Sequence, residues 1–296
     1  MALRKTALII SLALLLGGYA AILLWFRIHE DAYVFNPERG TLAPPADSFA
    51  LEARRVGLRA ADSTPLIALV IPPPAGAVPG EEAWLLYLHG TGGNLGNAGY
   101  LLAWSKFRAL GMGVFAVDYR GYGESGGKPS ETGLYMDADA AYSYLRDSLG
   151  VPPARIVIYG FSLGSAVAID LATRKPAGAL IVEGALLSVQ ERGQEIYPFL
   201  PVKWLARNRF ASVEKIARVA MPKLFIHARA DAEVPFDHGR RLYALAAPPK
   251  EFLEVSGGHT TAYKVDPLFY PGVARFLSEL GFPVASSPVP AHPAGD

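Results

Sequence analysis

Short apolar runs alternate with longer segments of helical length along the middle of the chain. Seven runs have the length of buried strands: residues 66–71, 84–88, 114–117, 156–159, 180–182, 224–226 and 252–255. The longer segments between them include residues 131–149, 163–174, 237–246 and 267–280. Continuous apolar strands separated by helices are typical of a mostly parallel sheet covered on both faces. The pattern therefore predicts an α/β fold, in which chemistry collects at the carboxyl ends of the strands.

The amino-terminal segment carries a different pattern, a single apolar run. Residues 6–26 contain no charge, and 17 of these 21 residues are apolar. At about 1.5 Å per residue, such a helix spans roughly 31 Å, the thickness of the hydrocarbon core of a bilayer. A signal peptide cleaved after Ala20 and a buried core helix are the alternatives. Because the run stays apolar beyond that position to Phe26, we expect a retained transmembrane helix.

Composition divides the chain into four segments. These are the predicted membrane anchor or signal peptide (1–28), a linker (29–48), one globular domain (49–282) and a tail predicted to be disordered (283–296). Arg4 and Lys5 precede the apolar run and Arg27 follows it, so the positive charges favour a cytoplasmic amino terminus by a small margin. We therefore expect a single-pass protein whose globular domain lies on the extracytoplasmic side, with secretion as the alternative.

Composition also excludes several classes of function. The 296 residues carry a net charge of +1 and their basic residues do not cluster, so nothing favours nucleic-acid binding. Cysteine is absent, which excludes disulfides, thiolate zinc sites and a cysteine nucleophile. Neither a phosphate loop nor a dinucleotide-binding pattern occurs. We expect no cofactor and no metal.

A glycine-flanked serine follows the predicted strand 156–159. The run Gly160-Phe161-Ser162-Leu163-Gly164 matches the pattern G-x-S-x-G between a strand and a helix. This context predicts a nucleophile elbow, a sharp turn that exposes the serine hydroxyl while small residues let strand and helix approach. The alternative is a glycine-rich turn whose serine only caps the helix.

A nucleophilic serine needs a base, and His259 has the best position for that role. It follows the predicted strand 252–255, in a loop at the carboxyl edge of the sheet. The other five histidines are interpreted as a juxtamembrane residue, a strand-end residue, a core or supporting residue, an exposed helix-start residue and a tail residue: His29, His89, His227, His238 and His292, respectively.

The base in turn needs a carboxylate that orients it and stabilises its cation. Asp231 lies in the loop after the predicted strand 224–226, which gives the chain order serine, acid, histidine. Glu183, directly after the strand 180–182, is the alternative acid. Asp118 is interpreted as a structural residue that pairs with Arg120.

An acyl-transfer site also needs two backbone N–H groups that stabilise a developing oxyanion. Leu163, the residue after the serine, is the first candidate donor. Thr91 is the second, because it lies in the turn after the predicted strand 84–88, between two glycines that let its amide face inward. Asn94 is expected to cap the helix that follows.

Together these motifs resemble the α/β-hydrolase superfamily. The resemblance rests on the runs 89–94, 118–125 and 160–164 and on the loops that hold Asp231 and His259. Residues 129–135 and 209–216 further resemble the Bem46-like branch, related to α/β-hydrolase domain-containing proteins 13 and 17. The resemblance spans residues 49–280. It implies an α/β-hydrolase fold and a serine hydrolase acting on esters, thioesters or other acyl bonds, often with an amino-terminal membrane anchor.

Two positions depart from the pattern of this family. Ala228 follows His227 where the family usually has glycine, and Thr260-Thr261 follow His259 where the branch more often has Asn-Asp. Neither position belongs to the predicted catalytic residues, so the departures bear on substrate preference.

Residues 183–214 correspond to the region where such folds insert a lid. At about 30 residues the segment is too short for a separate cap domain, and it is rich in aromatic residues. An apolar acyl pocket is one interpretation, and the packing of a short helix is the other. The expected function is hydrolysis of a small or lipid-like acyl substrate. A membrane-tethered binding protein without catalysis and a serine peptidase of the same fold are the alternatives.

Overall fold

An eight-stranded sheet forms the centre of the computed structural model, which describes residues 2–40, 49, 51–77 and 80–285. The described residues form ten strands, eight in this sheet and two in a separate pair. They are β1 (Asn36–Pro37), β2 (Arg54–Arg59), β3 (Pro65–Ile71), β4 (Trp84–Leu88), β5 (Gly92–Gly93), β6 (Gly113–Asp118), β7 (Ile156–Phe161), β8 (Ala179–Glu183), β9 (Lys223–Ala228) and β10 (Lys250–Val255). The main sheet has the order β10-β9-β8-β7-β4-β6-β3-β2, and β1 pairs separately with β5. Strand β3 runs antiparallel to both neighbours, and the other pairs are parallel.

Helices connect the strands and cover the sheet. They are α1 (Ala2–Val34), α2 (Ala98–Ala109), α3 (Glu131–Ser143), α4 (Leu163–Ala172), α5 (Val189–Ile196), α6 (Val202–Leu205), α7 (Ser212–Lys215), α8 (Phe236–Leu245), α9 (Ala262–Val265) and α10 (Phe269–Glu279). A π-helical turn, Tyr144–Ser148, continues α3. The segment predicted as one helix over 131–149 therefore consists of two helical types.

The two faces of the sheet form separate cores, which explains the continuous apolar strands. Along β4, Leu86 and Leu88 belong to one core, while Leu85 and Tyr87 belong to the other. Because successive side chains of a strand point to opposite faces, a strand covered on both sides must be apolar throughout. The predicted fold class is confirmed.

All seven predicted strands are present, and β2 is a strand that the sequence pattern did not predict. It lies at the edge of the sheet, and Val56 is its one buried residue. Its three arginines give it a polar composition that hides it from a search for apolar runs. The helix cap expected at Asn94 is also displaced. Asn97 caps α2 by accepting a hydrogen bond from Gly99 N, while Asn94 accepts from Gly96 N at 2.8 Å.

The predicted linker does not begin at residue 29. Helix α1 continues without a break to Val34, and Phe26, Val34 and Phe35 are buried against the globular domain. Residues 36–37 then pair with β5. The physical reason is that apolar side chains at and after the end of α1, those of Val34 and Phe35, pack into the core of the domain. Residues 29–40 therefore belong to the domain. Residues 41–48 lie outside the described residues.

The carboxyl-terminal tail is described only at its beginning. Ala285 N donates a hydrogen bond to Leu110 O at 2.9 Å, so the start of the predicted tail still contacts the domain. Residues 286–296, including His292, lie outside the described residues, and the predicted disorder remains a prediction.

Candidate active site

Ser162 lies on a strained turn between β7 and α4. Its backbone has φ 53° and ψ −121°, a conformation that residues other than glycine rarely adopt. The turn is possible because its neighbours are small. A Cβ on Gly164 would lie 2.0 Å from Leu88 O, and one on Gly160 would lie 2.4 Å from Gly164 O. The serine N–H donates to Glu183 O at 2.9 Å, which fixes the turn to β8.

The structure brings His259 and Asp231 to this serine. His259 Nε2 lies 2.8 Å from Ser162 Oγ, and its Nδ1 lies 2.6 Å from Asp231 Oδ2. In the matching tautomer the serine hydroxyl donates to Nε2, and Nδ1–H donates to the carboxylate. The second oxygen of Asp231 accepts from Glu233 N and Val234 N, at 2.9 and 2.7 Å. The carboxylate is therefore held in place while it orients the imidazole.

Asp231 and the protonated form of His259 stabilise each other's charge. Burial opposes a charged imidazole, but the hydrogen bond and negative charge of Asp231 outweigh it and raise the pKa of His259. Burial would raise the pKa of Asp231, yet hydrogen bonds from His227 and His259 lower it. The acid therefore stays ionised beside a histidine that can accept a proton.

Thr91 and Leu163 line the same cavity as the serine. Leu163 is the first residue of α4, so its N–H is one of the helix-terminal donors without a partner within the helix. Thr91 follows β4, and its carbonyl accepts from Asn36 N at 3.2 Å and from the Tyr122 hydroxyl at 2.8 Å. These bonds fix the orientation of the turn that holds the Thr91 amide.

Glu183, the alternative acid, has a different partner. The Tyr159 hydroxyl donates to its carboxylate, and the side chain is buried beside the site. Burial raises the pKa of Glu183 to about 7, against smaller opposing effects of Tyr159 and His259. The hydrogen bond to His259 Nδ1 comes from Asp231.

Two other assignments from the sequence need correction. His238, expected to be exposed, is buried because it contacts Glu195 at 2.9 Å and accepts from Leu187 N at 3.2 Å. Arg120 does not pair with Asp118. It binds two other carboxylates, those of Asp62 and Asp137. The backbone N–H of Arg120 also donates to Asp137 Oδ2 at 2.8 Å, which holds the residue beside that carboxylate.

The remaining polar residues support the fold. His227 is buried, with Nε2 2.9 Å from Val234 O, which agrees with a core or supporting residue. His89 is buried at the end of β4, and burial lowers its pKa to about 4. Within the described ranges, no three metal-ligating side chains converge on one point.

Two cavities meet at Ser162. The first, called the apolar lobe, has a volume of about 500 Å³ and is lined largely by apolar side chains, among them Phe26, Val34, Leu186, Ile196, Tyr197 and Val202. The second, called the polar lobe, has a volume of about 510 Å³ and includes Glu38, Asn97, Tyr100, His259, Tyr263 and Lys264. Thr91 and Ser162 line both lobes, so a reacting carbonyl at the serine would have one apolar and one polar side.

The end of α1 forms part of this site, which the sequence analysis missed. Phe26, Glu30, Tyr33 and Val34 line the apolar lobe. The Glu30 carboxylate is buried and accepts hydrogen bonds from the backbone and side chain of both Arg207 and Asn208. The available signal was a pair of adjacent carboxylates, Glu30 and Asp31, about one helical turn after an apolar run. The partner of Glu30 lies 178 residues away and could not be inferred locally.

These features define an α/β hydrolase. A serine lies on a strained strand-to-helix turn at the carboxyl edge of a mostly parallel sheet, a histidine contacts that serine, and a carboxylate contacts the histidine. A family model described as serine aminopeptidase, S33 (Hydrolase_4) matches residues 80–216. The chain belongs to the α/β-hydrolase superfamily.

Two relatives show how far the likeness extends. An uncharacterized protein of Mycobacterium tuberculosis, Rv2307c, is 33% identical over 273 residues, covering 92% of this chain and 94% of that protein. The α/β hydrolase domain-containing protein 17B of Xenopus laevis is 35% identical over 182 residues, covering 61% of this chain and 62% of that protein. Among solved structures, the Pyrococcus furiosus esterase Pf2001 has a TM-score of 0.68 at 21% identity, covering 82% of this chain and 98% of that one. That structural likeness shows the fold.

Proposed function

We propose that this α/β hydrolase is a serine hydrolase that cleaves carboxylic esters or thioesters through an acyl-enzyme. The carrying observation is the chain of contacts from Ser162 Oγ through His259 to Asp231, at 2.8 and 2.6 Å, on a strained turn. That geometry supports a serine whose proton can pass to the imidazole as it attacks.

The proposed reaction has two steps, acylation of the serine and hydrolysis of the acyl-enzyme. Ser162 Oγ attacks the substrate carbonyl, its proton passes to His259 Nε2, and the N–H groups of Thr91 and Leu163 stabilise the oxyanion. The bond to the alcohol or thiol then breaks, and His259 gives that leaving group its proton. In the second step water attacks the acyl-enzyme with the same proton transfers, which releases the carboxylic acid and restores the serine.

The two lobes favour an amphiphilic substrate. An acyl chain fits the apolar lobe, while a polar leaving group fits the polar lobe, where Asn97, Tyr263 and Lys264 supply hydrogen-bonding groups. We therefore propose a lipid-like or small acyl substrate with a polar alcohol or thiol.

We further propose that α1 is retained as a single membrane anchor. Residues 3–34 are long and apolar enough to cross a membrane, and the helix contacts the globular domain from Tyr19 onward. The positive charges of Arg4 and Lys5 favour a cytoplasmic amino terminus, with the hydrolase domain on the other side. The full-length protein should sediment with membranes and resist carbonate extraction. A mature amino terminus at Ala21 in the soluble fraction would replace the anchor with a secretion signal.

A fluorophosphonate probe tests the catalytic proposal directly. Wild-type protein should be labelled, and the Ser162→Ala variant should not, while both give the same circular-dichroism spectrum. A panel of acyl esters and thioesters of graded chain length then identifies the bond cleaved. Equal labelling of the Ser162→Ala variant would contradict the proposal.

A further inference from the structure

An exposed apolar surface lies on residues 183–214, called the covering segment, part of which lines the apolar lobe beside Ser162. Outside α1, the two most exposed large hydrophobic residues of the described ranges are Phe199 and Trp204, each 89% exposed. Ile196, which is half-exposed, lies on the same segment. These three residues are called the lid edge. The apolar exposure is concentrated on one short segment, residues 196–204, and such a concentration is typical of an interaction surface.

The lid edge lies alongside α1. The Tyr19 hydroxyl donates to Phe199 O at 2.9 Å, and Arg27 Nη1 donates to Leu205 O at 3.1 Å. Tyr19 is inside the apolar run, and Arg27 follows its last residue. The eight residue steps from Tyr19 to Arg27 rise about 12 Å along a helix. The segment 199–205 therefore spans the same depth as the last two turns of the apolar run.

The apolar lobe lies between these two elements. Phe26 and Val34 of α1 form one side of the lobe, and Ile196, Tyr197 and Val202 of the covering segment form another. Phe26 and Tyr197 also pack edge to face at 5.5 Å between ring centres. A chain that enters the lobe between α1 and the covering segment would come from the medium that surrounds both.

We propose that the lid edge is immersed in the leaflet that holds the last two turns of the apolar run of α1, and that acyl chains pass from the bilayer into the apolar lobe. The proposal rests on the proposed anchor and the proposed hydrolase activity. Phe and Trp side chains partition favourably into the membrane interface and the acyl region below it. Lys203, between the two aromatic residues, pairs with Glu191 at 3.0 Å, and its long stem lets the charge reach the interface. Continuity with an apolar helix selects lipid over a protein partner as the occupant.

Fluorescence quenching tests the immersion without reference to activity. The full-length protein is reconstituted into phosphatidylcholine vesicles with brominated acyl chains, and a Trp25→Phe background removes the tryptophan of α1. Besides Trp204, two tryptophans remain: Trp104 is buried, and Trp84 lies at the amino-terminal end of β4, whereas the active site lies at the carboxyl ends of the strands. We expect brominated lipid to quench the background variant, and a further Trp204→Phe substitution to abolish that difference. Equal emission in brominated and unbrominated vesicles would overturn the proposal.

Paired substrates test the entry route. The double variant Phe199→Asp, Trp204→Asp should lose about tenfold in the rate on a long-chain ester dissolved in vesicles, with no change on a short water-soluble ester. Leu245→Asp is the matched control, since Leu245 is an exposed apolar residue at the end of α8 and lines neither lobe. Equal losses on both esters, or none on either, would overturn the proposal. Failure of wild-type protein to cleave the soluble ester would count against the hydrolase itself, whereas the quenching result stands apart from it.

Discussion

The hydrogen bonds between Glu30 of α1 and residues 207–208 of the covering segment, called the clamp, give the prediction that depends most on the tertiary structure. Glu30 is 2% exposed, and its carboxylate accepts from Asn208 N at 2.7 Å, Asn208 Nδ2 at 3.1 Å, Arg207 N at 2.8 Å and Arg207 Nε at 3.1 Å. Glu30→Ala removes the acceptor and leaves these donors facing a small cavity.

The size of the effect follows from which donors stay buried. Asn208 is buried, so its backbone and side-chain N–H groups lose an acceptor that water replaces poorly, at about 1–3 kcal/mol each. The Arg207 side chain is half-exposed and can turn to solvent, so it adds little. We expect the contact between α1 and residues 207–208 to weaken by about 3 kcal/mol, which is roughly a hundredfold in the opening equilibrium.

Hydrogen exchange measured in detergent micelles reads this equilibrium at the amides concerned. In the Glu30→Ala variant, the peptide that contains residues 207 and 208 should exchange on the order of a hundred times faster. Asp31→Ala is the matched control. Asp31 contacts Arg207 and Asn208 too, but its side chain is 54% exposed, so its loss should cost under about 1 kcal/mol. Equal exchange in the two variants would refute the clamp.

The remaining predictions concern the proposed catalytic residues. Ser162→Ala should lower kcat by at least about 10³-fold with unchanged thermal stability, because triad members act as a unit; retained turnover would contradict it. Asp231→Asn should lower kcat by roughly 10⁴-fold and Glu183→Gln far less, since Asp231 and not Glu183 bonds the imidazole; the reverse ranking would refute the choice of acid. His259 accepts a proton only when neutral, so kcat/KM should fall as pH drops through its pKa. Although burial opposes it, Asp231 raises that pKa, which puts the acid limb above the ordinary value of about 6.5. Glu233→Gln removes a negative charge 3.9 Å from Nε2 and should move the limb to lower pH; a limb that stays in place would contradict this.

Local sequence features predicted the parts of the fold that depend on a few neighbouring residues. A strand buried on both faces must be apolar, so seven strands could be found from their composition. The G-x-S-x-G pattern likewise predicted the turn at Ser162, because the close approach of Leu88 O to Gly164 leaves no room for a Cβ. Strand β2 escaped because an exposed edge strand needs only one buried side chain, Val56.

Tertiary structure decided what depends on contacts between distant segments. The sequence placed both Asp231 and Glu183 after strands, and packing determined that Asp231 reaches His259 while Glu183 meets Tyr159. The part that α1 plays in the active site could not be predicted. Its apolar run indicates a span, but the burial of Glu30 depends on donors from Asn208, 178 residues along the chain. The hydrophobic pattern of a strand and the residues that a turn requires are determined by neighbouring positions in the sequence. The partner of a buried charge is determined by which surfaces pack together.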